Sequence, residues 1–348
     1  MDGSSSTGSR RARRGGGGIT LGDVARIAGV SPITASRALN TPGQVAPETL
    51  ARVREAVART GYVPNRLAGG LASARSRLVA AVVPTIAGPV FMEMVQSLTA
   101  ALAESGYQLM LGQSGYTESR EDALLEAIIG RRPDGVVLTG IMHSAEGRRR
   151  LLASGIPVVE TWDLTPTPID MLVGFSHVDA AAEVARHLHA KGRRRLALIS
   201  ADDERAQRRN RGFADEAVRL GLAADASGIP VELVPAPTTL GSGRIGLTRL
   251  LERVPEVDAV FCSSDMLALG VLTEAAARGI AVPSRLAVVG FGDLGFAADT
   301  EPALSTVRID GTAIGRRAAS FIVDRAEGRA VAQKVVDLGF RVVERGSS

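Results

Sequence analysis

The sequence predicts an N-terminal all-α head followed by an α/β body of two doubly wound parallel-sheet subdomains. Three observations predict it. Residues 20–40, TLGDVARIAGVSPITASRALN, carry apolar side chains at helical spacing on both sides of Gly29. From Leu78 onward, continuous apolar runs alternate with helical stretches, which is the pattern of a parallel sheet covered on both faces. Charge divides near the same place: residues 1–77 hold 12 arginines against four acids, a net of +8, and the remaining 271 residues carry a net of −4.

Residues 1–18 are rich in Ser, Gly and Arg and are expected to be a disordered tail. The head, 19–63, reads as three helices at about 21–28, 31–39 and 47–60. Leu21, Val24, Ala25 and Ala28 fall at i, i+3, i+4 and i+7. Gly29 supplies the turn, because glycine enters the left-handed region without steric cost. Ser31 is a good N-cap and Pro32 a good first residue for the second helix. That helix buries Thr34, Ala35, Ala38 and Leu39 and leaves Pro32, Ile33, Ser36 and Arg37 elsewhere. Pro47 and Glu48 open the third helix and Gly61 closes it. Two short helices about a glycine turn make a helix-turn-helix, whose second helix enters the DNA major groove; an ordinary helical hairpin is the alternative. Residues 64–77 form the linker. Asn65 caps a stretch of about eight residues, too short and too weakened by Gly69–Gly70 to be helical unless held.

In the body, strands are expected at 78–83, 107–112, 135–139, 156–160, 171–175, 195–200, 231–234, 258–262 and 286–291. Helices are expected at about 90–105, 119–130, 144–154, 177–190, 208–220, 242–253, 264–278 and 311–327. The proline-bearing break TWDLTPTPID, 161–170, comes after four units and divides the body into two subdomains with a ligand cleft at the strand C-terminal ends.

Composition narrows the function classes. The chain of 348 residues is 45 % hydrophobic and 3 % aromatic, so its cores are aliphatic. No apolar run has the length of a membrane span, and the basic N-terminus lacks the apolar segment of a secretory signal. One cysteine, Cys262, fits a reducing cytoplasm. GSGRIG at 241–246 has a dinucleotide-loop pattern but stands late in the chain, away from a first βαβ unit. His187 and His189 point apart on a helix, and His143, His177 and Cys262 stand alone. No metal, cofactor or catalytic nucleophile is expected.

The motifs T-L-x-D-V-A-x-x-A-G-V-S-x-x-T-x-S-R-x-L-N at 20–40 and G-Y-x-P-N-R-x-A-x-x-L at 61–71 resemble those of the LacI/GalR family of bacterial transcriptional regulators. So do I-P-V-V at 156–159, R-x-x-G-F within 203–213, V-F-C-S-S-D-M-L-A-L-G at 260–270 and V-V-G-F at 288–291. The resemblance covers residues 20 to about 343. It implies a periplasmic-binding-protein-like body over 78–344, with an N-subdomain of about 78–163 and 293–327 and a C-subdomain of about 164–292 and 328–344. It places Pro32, Ile33 and Arg37 at base-reading positions. Arg37 can grip guanine O6 and N7, while Pro32 and Ile33 offer only apolar contact. Thr20, Ser31, Thr34, Ser36, Asn40 and Tyr62 are implied phosphate contacts. Asn65, Arg66, Ala68 and Leu71 belong to a hinge helix that folds on DNA, pairs with its dimer mate and wedges Leu71 into the minor groove.

The implied effector pocket takes Val90, Phe91, Glu160, Trp162, Asp163, Arg205, Asp265 and Asp293. Many sugar-binding members place an aspartate where this chain has Gly292. VVETWD, DDERAQRRNRGF and AVFCSSDMLALG look most like the gluconate-operon repressor branch, so the implied effector is a sugar acid such as gluconate, with a neutral sugar or a purine as alternatives. The implied protein is a cytoplasmic, nucleoid-associated homodimer that binds a palindromic double-stranded operator as a repressor and is not an enzyme. A solute-binding protein for a transporter and a sugar-processing enzyme are the competing classes.

Overall fold

The computed structural model describes residues 19–63, 76–86, 88–115 and 118–348. The tail at 1–18 and the expected hinge helix, with Asn65, Arg66, Ala68 and Leu71, lie outside the described residues. The chain divides into two compact units, Met1–Ala74 and Arg75–Ser348.

The head has helices α1 (Leu21–Ala28), α2 (Pro32–Asn40) and α3 (Pro47–Thr60). Thr20 caps α1 in a reciprocal box. Its hydroxyl accepts from the Asp23 N–H, and the Asp23 carboxylate accepts from the Thr20 N–H. Hydrogen bonds from Thr20 and Arg26 hold the Asp23 carboxyl down at about 2. Gly29 ends α1 at φ 64°, and Ser31 caps α2 by accepting from the Thr34 N–H. Val24, Ala28, Ala38, Val53 and Ala56 form the core, with Leu39, Leu50 and Tyr62 packed against it. Thr34, expected on the buried side, is only half-buried, its hydroxyl 2.9 Å from that of Ser31.

The body holds two sheets. The first contains β1 (Leu78–Val83), β2 (Gln108–Gln113), β3 (Gly135–Thr139), β4 (Val158–Thr161) and β5 (Met171–Gly174). The second contains β6 (Leu196–Ala201), β7 (Val231–Val234), β8 (Ala259–Cys262), β9 (Ala287–Phe291) and β10 (Ser305–Arg308). Two late strands, β11 (Val335–Asp337) and β12 (Arg341–Val343), complete the first and second sheet respectively. The orders are β11-β5-β4-β3-β1-β2 and β12-β10-β9-β8-β6-β7, with every pairing parallel except β12 against β10. The helices are α4 (Met92–Glu104), α5 (Glu118–Ile129), α6 (Ala145–Ser154), α7 (His177–Ala190), α8 (Glu204–Arg219), α9 (Leu240–Arg253), α10 (Asp265–Ala277) and α11 (Gly311–Ala326).

The lobe boundaries differ from those at 163 and 292. Strand β5 pairs with β4 and belongs to the first lobe, because the proline-bearing loop returns to the same sheet. The Glu160 carboxylate secures that return by accepting from the Ile169 N–H at 2.6 Å. Strand β10, placed by the resemblance in the N-subdomain, pairs with β9 in the second sheet, and β11, placed in the C-subdomain, pairs with β5 in the first. The chain therefore changes lobe after β5, after β10 and after β11. Helix α11 packs on α4 and on β3, β4 and β5, in the first lobe as expected.

Helix α8 starts at Glu204, four residues before the expected 208, because the Asp203 carboxylate caps it by accepting from the Ala206 N–H. The extra turn places Arg205, Arg208 and Arg209 at the helix entrance. The glycines of GSGRIG serve packing: a Cβ on Gly243 would strike the Leu267 carbonyl, and one on Gly246 the Ile199 side chain. Gly212 plays the same part between α7 and α8, where a Cβ would overlap the Val178 backbone. Replacing Gly212 by Ala is expected to force the two helices apart and destabilise the body by about 1–3 kcal/mol. Urea unfolding of both proteins measures this; an unchanged midpoint would show that the close approach is not required.

Candidate functional site

In the head, Pro32, Ile33 and Arg37 stand on the solvent side of α2, with Ile33 67 % exposed. Ser36 is half-buried and accepts from the Asn40 Nδ2 at 3.2 Å. Thr20 and Ser31 are exposed, but their hydroxyls are engaged in helix caps. Tyr62 is half-buried against the head core. The arrangement leaves Arg37 as the charged group on the exposed face that Pro32 and Ile33 flank.

In the body, a cavity opens between the two sheets at the C-terminal ends of their strands. Its empty volume is ≈ 550 Å³, part of it continuous with solvent. Of the eight residues expected there, Val90, Phe91, Trp162 and Arg205 line it. Phe91 and Trp162 meet edge to face at 5.2 Å, and Trp162 meets Phe175 at 5.9 Å. Trp162 holds a left-handed backbone, φ 67°, and its Nε1 donates to Met94 Sδ at 3.0 Å.

The other four expected residues do not line this cavity. Glu160 is fully buried and holds the loop before β5; burial raises its pKa. Asp163 is 2 % exposed, accepts from the Leu164 N–H and lies 3.5 Å from Arg208, and burial raises its pKa too. Asp265 is buried and accepts from the Thr306 hydroxyl at 2.5 Å and the Leu294 N–H at 2.7 Å; burial lifts its pKa to about 6. Asp293 takes a left-handed φ of 50° and pairs with Arg345 at 2.7 Å. Each of these carboxylates accepts from a protein donor in a neighbouring loop or strand, while Glu160 Oε1 and Asp163 Oδ2 have no hydrogen-bond partner.

Residues that sequence reasoning left out supply the polar wall: His177, Asp203, Arg209, Thr238, Ser263 and Ser264. Arg209 is the main omission. It is 6 % exposed, its Nη1 donates to His177 Nδ1 at 3.0 Å, and its Nη2 donates to the Ser263 carbonyl at 3.1 Å. Its guanidinium carbon stands 4.4 Å above the Phe291 ring, and Nε has no hydrogen-bond partner. Burial lowers its pKa to about 10, so it stays charged at neutral pH. Arg205 lies one helical turn away, over Phe91 and 3.8 Å from Asp203. The i, i+4 spacing of Arg205 and Arg209 was the available signal, since it puts both on one helix face.

His177, read from the sequence as standing alone, is the partner of this buried cation. Guanidinium is only a donor, so Nδ1 accepts and the ring is neutral with its hydrogen on Nε2. Burial, reinforced by Arg209, pushes the imidazole pKa well below its ordinary value; a contact with the Trp162 backbone opposes this weakly. Nε2 makes no hydrogen bond. The cavity thus offers cationic and neutral N–H donors, two serines and a threonine, beside an aromatic face. Such a set binds an anionic, hydroxylated molecule.

Two family profiles match the chain. A profile described as bacterial regulatory proteins, lacI family, matches residues 20–65, and one described as a periplasmic binding protein-like domain matches 185–348. The chain is 40 % identical over 330 residues to the HTH-type transcriptional regulator GntR of Pseudomonas aeruginosa, covering 94 % of this chain and 95 % of that one. The crystal structure of a LacI-family transcriptional regulator from Silicibacter pomeroyi matches with a TM-score of 0.88 at 33 % identity, over 94 % of this chain and 99 % of that one. The transcription regulator GntR of Chromobacterium violaceum, 38 % identical, matches with a TM-score of 0.74 over 78 % of this chain and 99 % of its own. Among the described residues no helix is long and apolar enough to cross a membrane.

The state of His177 makes a pH prediction. Its charged form is disfavoured in the folded protein and free to form in the unfolded chain near pH 6.5. The stability it contributes is therefore complete above that pH and falls as pH drops below it. Between pH 6.5 and 5, the wild type is expected to lose up to about 1.4 kcal/mol per pH unit more than His177→Gln. Urea titrations at several pH values measure the difference; parallel curves for the two proteins would contradict a neutral buried imidazole.

Proposed function

This chain belongs to the lacI family of bacterial regulatory proteins, and on that premise we propose that its body binds a sugar acid such as gluconate and thereby releases its head from DNA. Its relatives are transcriptional regulators, and it is one of them and not an enzyme. The observation that carries the effector reading is Arg209: a buried guanidinium facing a cavity, with no carboxylate bonded to it. Burying a cation without an opposite charge is costly, and an effector carboxylate would supply that charge. Arg205 on the same face gives a second point of attachment, His177 Nε2, Thr238, Ser263 and Ser264 serve hydroxyls, and Phe91 with Trp162 covers the carbon chain.

In this reading Pro32, Ile33 and Arg37 read bases. Thr20, Ser31, Thr34, Ser36, Asn40 and Tyr62 approach phosphates. Residues 64–77, with Asn65, Arg66, Ala68 and Leu71, act as the hinge, Leu71 entering the minor groove. The regulator works in the cytoplasm, on nucleoid DNA, as a homodimer on a palindromic operator, since one head of this size covers too little DNA for tight binding. Coupling between operator and effector is reciprocal.

Gel-shift titration of the full chain on the DNA upstream of its own gene, with and without millimolar gluconate, tests the proposal. Gluconate is expected to weaken the shift at least tenfold, glucose to leave it unchanged, and Arg209→Met to abolish the response while keeping the ligand-free shift. A gluconate response that survives Arg209→Met, or a response to glucose alone, would contradict the assignment.

A further inference from the structure

The first residues of the body after the linker are held by one side chain. Asp134, just before β3, accepts from the Ser76 N–H at 3.2 Å with Oδ1 and from the Arg77 N–H at 2.6 Å with Oδ2. Its own N–H donates to the Leu78 carbonyl at 2.8 Å. Arg77 takes a left-handed φ of 53°, a conformation a side chain rarely adopts unless its surroundings enforce it. Its guanidinium donates to the Ser105 carbonyl at 3.4 Å, lies 4.9 Å above the Tyr107 ring and stands 3.8 Å from Glu327. Backbone and side chain at 76–77 are thus both fixed, at the point where the chain leaves for the head.

The second lobe repeats the device. Asp258, just before β8, accepts from the Arg194 and Arg195 N–H groups at 2.9 and 3.0 Å and donates to the Arg195 carbonyl at 3.0 Å. There the clamped residues follow α7 within one lobe. In the first lobe they follow the segment that tethers the DNA-binding head. At the other end of β3, the Thr139 carbonyl accepts at 3.4 Å from Nη1 of Arg205, a residue that lines the cavity. A single central strand of five residues, about 17 Å long, therefore joins the Asp134 clamp to a cavity-lining arginine.

We infer that Asp134 is a positioning residue for operator binding: by fixing the exit of the linker at Ser76 and Arg77 it preorganises the hinge. The inference rests on the reading of residues 64–77 as the hinge. Preorganisation favours association by removing an ordering cost, so loss of the clamp weakens specific DNA binding without touching a DNA-contacting group. Asp258 carries the same chemistry in the same setting, which makes it the matched control for stability.

The test compares Asp134→Asn, Asp258→Asn, Leu71→Ala and the wild type, as full chains, on a duplex selected from a random library by the wild type and on a shuffled duplex, with thermal midpoints for each. No effector is present, so the result does not depend on the sugar-acid reading. Asp134→Asn and Asp258→Asn are expected to lower the midpoint alike. Asp134→Asn alone of the two is expected to bind the selected duplex at least tenfold more weakly, with shuffled-duplex affinity within twofold of wild type. Arg77→Ala, which removes the guanidinium anchor at the same exit, is expected to shift affinity the same way; should Asp134→Asn fail to fold, Asp134→Ser and Asp258→Ser take the place of the two variants in the comparison. Equal operator affinities for Asp134→Asn and Asp258→Asn, with Leu71→Ala impaired, would overturn the role of Asp134 and leave the hinge standing. Wild-type affinity in Leu71→Ala and Asp134→Asn together would overturn both.

Discussion

The effector cavity depends on one buried cation. Arg209 is held by a neutral imidazole, a carbonyl oxygen and an aromatic face, and by no directly bonded carboxylate. Much else in the body serves that placement. Gly212 lets α8 approach α7 closely enough for Arg209 to reach His177, which begins α7. Asp203 starts α8 one turn early and sets Arg205 beside the same cavity. His177 stays neutral because the cation and the burial both oppose its charging. On the proposed reading, the attraction left unspent by this cation is what an effector carboxylate would meet.

The two lobes are variations on one plan, and the variation shows where the functions divide. Asp134 and Asp258 clamp the chain ahead of the first strand of each sheet in the same way. The cavity lies at the opposite, C-terminal ends of those sheets, away from the clamped residues Ser76 and Arg77. Strand β3 runs between those two ends and is hydrogen-bonded on both sides, to β1 and β4.

The sequence made the architecture readable where a residue type has one structural use. Gly29, Ser31 and Pro32 marked the head's turn, and continuous apolar runs marked the buried strands, because both follow from local sterics and burial. Strand β10, Ser-Thr-Val-Arg, escaped notice because it has no apolar run, and β11 and β12 because they are three residues long and only partly buried. The lobe assignment of β5 turned on a loop whose return is fixed by a distant carboxylate, Glu160, and no local pattern reports that. The cavity was legible in its apolar half, Val90, Phe91 and Trp162, and in Arg205. Its polar half was not, since an aspartate that caps a loop and one that meets a ligand look the same in a sequence. Glu160, Asp163, Asp265 and Asp293 all hold neighbouring backbone or side chains and lie outside the lining of the cavity. Arg209 and His177 are defined by each other across 32 positions.

The central claim, that a buried guanidinium selects an anionic polyol, is tested most directly by calorimetric titration of the full chain with gluconate and with glucitol, which has the same six-carbon chain with a neutral hydroxymethyl group where gluconate has its carboxylate. The account predicts saturable binding of gluconate and at least hundredfold weaker binding of glucitol. Equal affinity for the two would contradict it.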